Sequence, residues 1–222
     1  TNYFAHPNYL RIDGRPVLFI YLTRVLSRNG MLDEVIALMR SAAKKAGHDL
    51  YIIGDQVFGQ PTNSSALALL DAVTNYDVYG SMGAQGYAGQ PVVDAYYAAQ
   101  AKWQALANAA GTAFIPAATP GFNDKGVRSG HSAVSRRLTL SSEHGTLFRA
   151  MLQQAVNYTE SATGDMLLIT SWNEWHEDTQ IEPVVKSAPT TSDVGDGAYS
   201  EGLDYEGYGE RYLNILREET TR

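Results

Sequence analysis

Short apolar runs alternate along the chain with longer stretches in which apolar residues recur every three or four positions, a pattern that predicts strands and helices in turn. Pro16 to Leu22 reads as a buried strand. Met31 to Ala46 reads as a helix with Leu32, Val35, Ile36, Leu38 and Met39 close to one face, stopped at Gly47. Leu50 to Ile53 is a second strand opening onto Gly54 and Asp55, and Ser64 to Leu70 is a short helix beginning after Asn63. A third strand falls within Ala72 to Tyr79. The longest helical pattern runs from Val92 to Ala110, with Pro91 placed in its first turn and Gly111 just past its end. Ala113 to Pro116 is the fourth strand, and Gly121 to Leu140, rich in Gly, Ser and Arg, is a long loop of the kind that carries function or disorder. Thr146 to Tyr158 is helical. Met166 to Thr170 is a last strand, short and apolar enough for burial on both faces of a parallel sheet. Beyond Pro183 the chain is polar to Gly209, and Glu210 to Glu219 closes it as a helix.

Strand and helix thus alternate about five times, which implies an α/β fold with a parallel sheet covered by helices. A closed (β/α)8 TIM-type barrel needs eight such units and about 250 residues. The 222 residues are therefore expected to form the later portion of such a barrel, a single catalytic domain over 1–222 lacking about three units before Thr1. On that expectation the isolated chain exposes apolar sheet edges and aggregates. The rival is a doubly wound domain complete in itself, but no glycine-rich phosphate loop follows any strand, which disfavours its nucleotide-binding form.

The polar burst Ser171-Trp172-Asn173-Glu174-Trp175-His176-Glu177-Asp178-Thr179-Gln180-Ile181-Glu182-Pro183 comes where the last strand should end. Carboxyl ends of parallel strands are where barrel enzymes place their chemistry. Glu174 and Glu177, beside Trp172 and Trp175, offer two proton-transfer groups next to flat apolar faces, a combination suited to sugar rings and their acetal bonds. Extended chain would separate their α-carbons by up to ~10 Å, so spacing alone leaves both stereochemical outcomes of glycoside hydrolysis open. For an arbitrary ExxE a helix cap plus a solvated carboxylate is the favoured reading; here the indoles and the strand-end position reverse it. His176 could tune an acid, donate to a hydroxyl or bind a metal, and without a second clustered His a metal is not expected. Asp55, Asn123 and Asp124 follow other strands and would share the rim; Asp124 also suits a turn. Tyr21 ends the first strand, while Arg24 and Arg128 follow the first and fourth and form salt bridges or contact substrate.

A formal charge of −7 with no clustered Lys or Arg excludes phosphate-backbone recognition, so no nucleic-acid partner is expected. The content of 44% hydrophobic and 18% charged residues is that of a soluble globular chain. No apolar run approaches the ~18 residues of a membrane span. Without Cys there are no disulfides or thiolate metal sites. Thr1 to Pro7 lacks the charged-then-apolar pattern of a secretory signal, so in the expected secreted or periplasmic setting any export signal lies upstream. The acidic stretch Asp193 to Glu206 departs from calcium-loop spacing and reads as a solvated loop. Asn63-Ser64-Ser65 and Asn157-Tyr158-Thr159 match the glycosylation sequon.

WNEWHEDTQIEP, Trp172 to Pro183, resembles the signature of glycoside hydrolase family 99, the endo-α-mannosidase and endo-α-mannanase family, and of its WbsX-like relatives. Weaker echoes lie in Arg11 to Tyr21, in Pro120 to Asp124 and in Tyr212-Leu213, ordered as in the later half of that family's barrel. The resemblance implies a retaining endo-acting α-glycosidase that needs no cofactor and takes an oligo- or polysaccharide. Glu177 is then the general acid and later base. Glu174 deprotonates the substrate's own 2-hydroxyl, which attacks the anomeric carbon through an anhydro-sugar. On this reading Glu174 is ionised and Glu177 protonated at rest, the split expected of two close carboxyls. Tyr21 corresponds to a strand-end tyrosine near the pair, and Asn173 and Gln180 supply orienting amides. Asp178 stands where the family pattern has Gly, and Gly80 to Gly89 has no clear counterpart. Alternatives are a non-catalytic glycan-binding module, or a WbsX-like polysaccharide-processing protein or glycosyltransferase.

Overall fold

The computed structural model describes residues 3–61, 65–189 and 206–221. The chain divides into two compact units, each assembled from separated segments: 1–76, 99–116 and 158–168 in the first, and 77–98, 117–157 and 169–222 in the second.

The first unit holds a five-stranded sheet in the order β1 (Arg11–Ile12), β2 (Arg15–Ile20), β3 (Tyr51–Asp55), β4 (Ala72–Thr74), β5 (Ala113–Phe114). From β2 onward neighbours are parallel, with Leu18 opposite Ile52, Gly54 opposite Val73 and Ala72 opposite Ala113. β1 differs: it folds back antiparallel on β2 through Asp13-Gly14, both left-handed at φ 50 and 74. Positive φ at both central residues is the two-residue hairpin turn that Asp-Gly favours. Helix α1 (Thr23–Arg28) follows β2, and α2 (Leu32–Lys45) carries Asp33 and Glu34 in its first turn and Lys44 and Lys45 in its last, complementing its dipole. Leu32 and Ile36 of α2, Ile52, Val73 and Phe114 of the sheet, and Trp103 and Ala107 of α4 (Gly89–Ala109) share one core. The expected helix from Ser64 to Leu70 is a single 3-10 turn, Leu67–Leu69.

In the second unit α3 (Val78–Met82) is capped by the Asp77 carboxylate, which accepts from Gly80 N–H at 2.8 Å. α5 (Thr146–Ala155) and α6 (Arg211–Thr220) pack through Phe148 and Tyr212, both fully buried. Arg149 on α5 reaches Glu218 and Glu219 on α6. The expected fourth strand, Ala113 to Pro116, is found as the shorter β5 (Ala113–Phe114), ending before Pro116, which has no N–H to donate. β5 stays with the large sheet, while β6 (Ala117–Ala118) pairs with β7 (Leu168–Ile169) in a separate two-stranded sheet. β7 is also shorter and less buried than the strand expected over Met166 to Thr170, because among the described residues it has a single strand neighbour, β6. The second short helix α3 and the hairpin strand β1 carry too few residues for periodicity to mark them.

Candidate active site

The polar burst begins one residue past the β7 segment, where Thr170 N–H donates to Ala118 O at 3.0 Å. Ser171 then closes a compact loop on itself. Its N–H donates to Thr179 O at 2.8 Å, its hydroxyl lies 2.8 Å from that of Thr179, and Ser171 Oγ accepts from Glu174 N–H at 2.9 Å. Ile181 N–H returns to Ser171 O at 3.1 Å, and Glu182 N–H to Trp172 O at 2.9 Å. Between these ties Trp175–Glu177 forms one 3-10 turn with Glu174 at its entry, and Glu177 N–H points at Glu174 O at 3.4 Å. A 3-10 turn rises about 2 Å per residue and brings side chains at i and i+3 onto one face. The two α-carbons are thus drawn from a possible ~10 Å to roughly 6 Å.

Both carboxylates remain reachable, the Glu174 side chain 42% and the Glu177 side chain 22% exposed. Beside them Trp172 and Trp175 are 51% and 47% exposed, large apolar faces left in solvent. Trp175 Nε1–H donates to Glu182 Oε2 at 3.2 Å, which fixes that indole from outside the turn. His176 Nδ1 lies 3.8 Å from Glu174 Oε1, and Asn173 is exposed.

The loop expected over Gly121 to Leu140 meets this turn at Glu177. Phe122 and Val134 exchange backbone hydrogen bonds at 3.0 and 2.8 Å, and Phe122 stacks on Tyr79 with centroids 3.9 Å apart. Asn123 N–H donates to Glu177 O at 2.7 Å, tying the acid's main chain to this loop. The Asp124 side chain is fully buried and serves as both turn and anchor. Its carbonyl accepts from Val127 and Arg128 N–H, and its carboxylate meets Arg128 Nη1 at 2.7 Å and His131 Nδ1 at 2.9 Å. Arg128 Nη1 also reaches Glu177 Oε1 at 3.0 Å. The Asp124 hydrogen bond, then that of Glu177, holds the Arg128 guanidinium well above its ordinary value.

Gln180 is buried and donates from Nε2 to Asp178 Oδ1 at 3.2 Å. Asp178 itself adopts the left-handed conformation, φ 47, and its carboxylate lies 3.0 Å from Nη2 of Arg136, whose side chain is 6% exposed. The charge at Asp178 is therefore matched from within. Burial alone would lower the Arg136 value; the Asp178 charge and Tyr212 beside it leave it raised. Burial likewise pushes the Tyr208 phenol up to about 12. Arg136 was not among the expected residues. It sits in a polar stretch, Ser135-Arg136-Arg137, where neither periodicity nor a motif distinguishes a buried cation from its exposed neighbours.

Tyr21 and Asp55 belong to the first unit. Tyr21 is exposed just past β2 and meets Tyr76 edge-on at 5.0 Å. Asp55 is buried at the end of β3 and braces the loops around it: Oδ2 accepts from Leu22 N–H at 3.0 Å and Arg24 at 2.5 Å, and Oδ1 from Tyr76 N–H at 2.9 Å. Arg24 is thus a salt-bridge residue. Asn63 and Ser64 of one sequon and Asp193 to Asp204 of the acidic stretch lie outside the described residues. Among the described residues no cluster of His, Cys, Asp and Glu is arranged to hold a metal ion, and no helix is long and apolar enough to cross a membrane.

Parallel strands joined through helices, with carboxylates and indoles after β7, give an α/β arrangement of the barrel type. The profile of Glycosyl hydrolase family 99 matches residues 1–218, and the chain belongs to that family. A glycoside hydrolase-like protein of known structure superposes with TM-score 0.62 at 24% identity, over 99% of this chain and 57% of that one. The GH99 endo-alpha-mannosidase from Bacteroides thetaiotaomicron gives TM-score 0.62 at 22% identity, over 98% of this chain and 61% of that one. The fold is accordingly part of a TIM-type barrel. Glycoprotein endo-alpha-1,2-mannosidase-like proteins align over shorter stretches. That of Danio rerio is 39% identical over 72 residues, 32% of this chain and 14% of the relative, and that of Homo sapiens 34% over 92 residues, 40% and 18%. The chain thus spans about three fifths of the solved structures and under one fifth of these curated relatives.

Proposed function

We propose that the protein is a retaining, endo-acting α-glycosidase for an α-mannan or related α-linked glycan, and that residues 1–222 belong to its single catalytic domain. The observation that carries this reading is the 3-10 turn at Glu174 to Glu177, which presents two accessible carboxylates beside two half-exposed indoles. Membership of the family and the names of its relatives support the substrate class.

In the first step Glu174 takes the proton of the sugar 2-hydroxyl. That oxygen attacks the anomeric carbon, the bond to the departing sugar breaks, and Glu177 gives its proton to the leaving oxygen. A 1,2-anhydro-sugar results, with no bond to the enzyme. In the second step Glu177 takes a proton from water as the water opens the anhydro ring at the anomeric carbon, and Glu174 returns its proton to the 2-oxygen. Two inversions give net retention. Arg128, itself anchored on Asp124, orients Glu177 through one oxygen, and the exposed faces of Trp172 and Trp175 are ring contacts.

Glu177→Gln and Glu174→Gln each keep side-chain volume and remove the proton-transfer group. Each is expected to fold as the parent does and to lose two or more orders of turnover on an α-mannan, about the scale of acid–base catalysis. Reducing-end release measured against circular dichroism checks this. Near-parental turnover in both variants rejects the assignment, and glycan binding without release in the parent favours a non-catalytic binding module instead.

A further inference from the structure

We propose that Arg136 and Asp178 form a buried clamp that sets the position of Glu177, so that both are positioning residues for the reaction proposed above, on which this inference rests. Asp178 follows Glu177 directly in the chain and is left-handed, φ 47 and ψ 36, a conformation natural to Gly and tolerated by Asp and Asn. A residue needed only to turn the chain there would do best as Gly. The Asp178 side chain instead has a specific task. Arg136 Nη2 donates to Asp178 Oδ1 at 3.0 Å, to Asp178 O at 2.9 Å and to Gln180 O at 3.0 Å, while Nε reaches Oδ1 at 3.3 Å. One guanidinium thus holds the side chain and two carbonyls of the segment just after the acid.

The clamp is itself immobilised. The guanidinium carbon lies 5.2 and 4.7 Å from the ring centroids of Tyr208 and Tyr212, and the Arg136 carbonyl accepts from Gly145 and Leu147 N–H at the start of α5. At Gly121 the chain passes so close that an added Cβ would lie 2.9 Å from Arg136 Cγ and 3.0 Å from Val134 O. Two residues further, Asn123 N–H holds Glu177 O at 2.7 Å. The main chain of Glu177 is consequently fixed at its own carbonyl by Asn123 and immediately beyond by Arg136. A cation buried to this degree demands its counter-charge, so removing the Asp178 carboxylate releases the grip rather than merely trimming it.

Backbone tolerance and clamping predict different orders of variants, which makes the inference testable in the full chain. For a turn residue alone, Asp178→Gly equals or exceeds the parent and Asp178→Ala is worst. For a clamp, Asp178→Asn, which keeps an acceptor oxygen for Arg136 and tolerates the left-handed conformation, lies between the parent and Asp178→Gly. The expected result for Asp178→Gly is a fall in kcat on the order of 10-fold to 100-fold, the scale of a small misplacement of a reacting group, with KM nearly unchanged. A kcat for Asp178→Gly at or above that of Asp178→Asn overturns the clamp. If Asp178→Gly does not fold, Arg136→Lys decides: it keeps the buried charge but cannot bridge Oδ1 and both carbonyls, so kcat must fall, and an unchanged kcat overturns the proposal. If the parent itself shows no turnover, the reaction proposed above has failed and the clamp is read separately. Hydrogen exchange at the Asn123 amide must then be faster in Asp178→Gly than in Asp178→Asn, and equal rates overturn the clamp.

Discussion

Trp172 and Trp175 show how one residue type can be held differently within the same loop. Trp175 is anchored through its indole N–H on Glu182, whereas Trp172 presents a half-exposed ring beside the carboxylate pair. Trp172→Ala is therefore expected to act on binding more than on chemistry, raising KM roughly 5-fold, since a lost ring contact is worth about 1 kcal/mol. Steady-state kinetics beside the Glu177→Gln control separates the two effects; a fall in kcat at unchanged KM would assign Trp172 to the chemical step. Candidate residues were legible in the sequence where chemistry is concentrated in one stretch: Glu174, Glu177 and both indoles all fall between Trp172 and Glu177. Arg136 was not legible. Its partners are 42 and 44 residues away, and only folding gives that arginine a carboxylate and two carbonyls to hold.

At the scale of elements, the sheet of the first unit is held at the start of β4 by Asp71, outside the strand pattern that predicted it. The Asp71 carboxylate accepts from Ile52 N–H at 2.8 Å and meets Arg15 at 2.8 Å and Arg40 at 2.7 Å, joining residues of β2, α2 and β3. Burial opposes ionisation, but the Ile52 hydrogen bond and the two arginines outweigh it and hold the Asp71 carboxyl below the usual carboxylate range. A carboxylate depressed in the folded state stabilises above its unfolded value, and that contribution is lost as pH falls through the folded one. Asp71→Asn is expected to cost about 2 kcal/mol at neutral pH, the worth of a hydrogen bond to charged partners. The difference from the parent should shrink at acid pH, as the Asp71 carboxylate takes up its proton. Urea melts at neutral and acid pH check it, and an equal difference at both would show that the charge is not what stabilises. The same scale explains why the fourth strand is shorter than expected. Apolar character runs unbroken from Ala113 to Ala118, but Pro116 interrupts the ladder and divides the run between two sheets.

For the whole molecule, each unit is built from chain segments that are not contiguous, and α4 contributes its first half to one unit and its second half to the other. In the first unit, Glu160 from a late segment accepts from Phe114 N–H on β5 at 2.9 Å; in the second, Gly86 and Ala133 are joined across the sequence at 2.7 Å. A fragment of residues 117–222 would lack α3 and the Gly86 contact. It is expected to bind a hydrophobic dye and to melt without a cooperative transition, and a sharp calorimetric peak for that fragment would show that the second unit does not require its early segment.

By itself the sequence determined the alternation of strand and helix, the parallel character of the main sheet and the stretch that carries the acid pair, because these depend on local periodicity and on chemistry packed into adjacent residues. Only the tertiary structure decided the 3-10 turn that draws Glu174 and Glu177 together, the Asp124–Arg128–Glu177 chain of charges, and the pairing of Asp178 with Arg136. Each of these joins groups across a loop or between distant segments. A charge in sequence has no burial and no counter-ion; both are properties of the fold, and they turn the Asp that stands in a glycine-like position into a bound partner of a buried arginine.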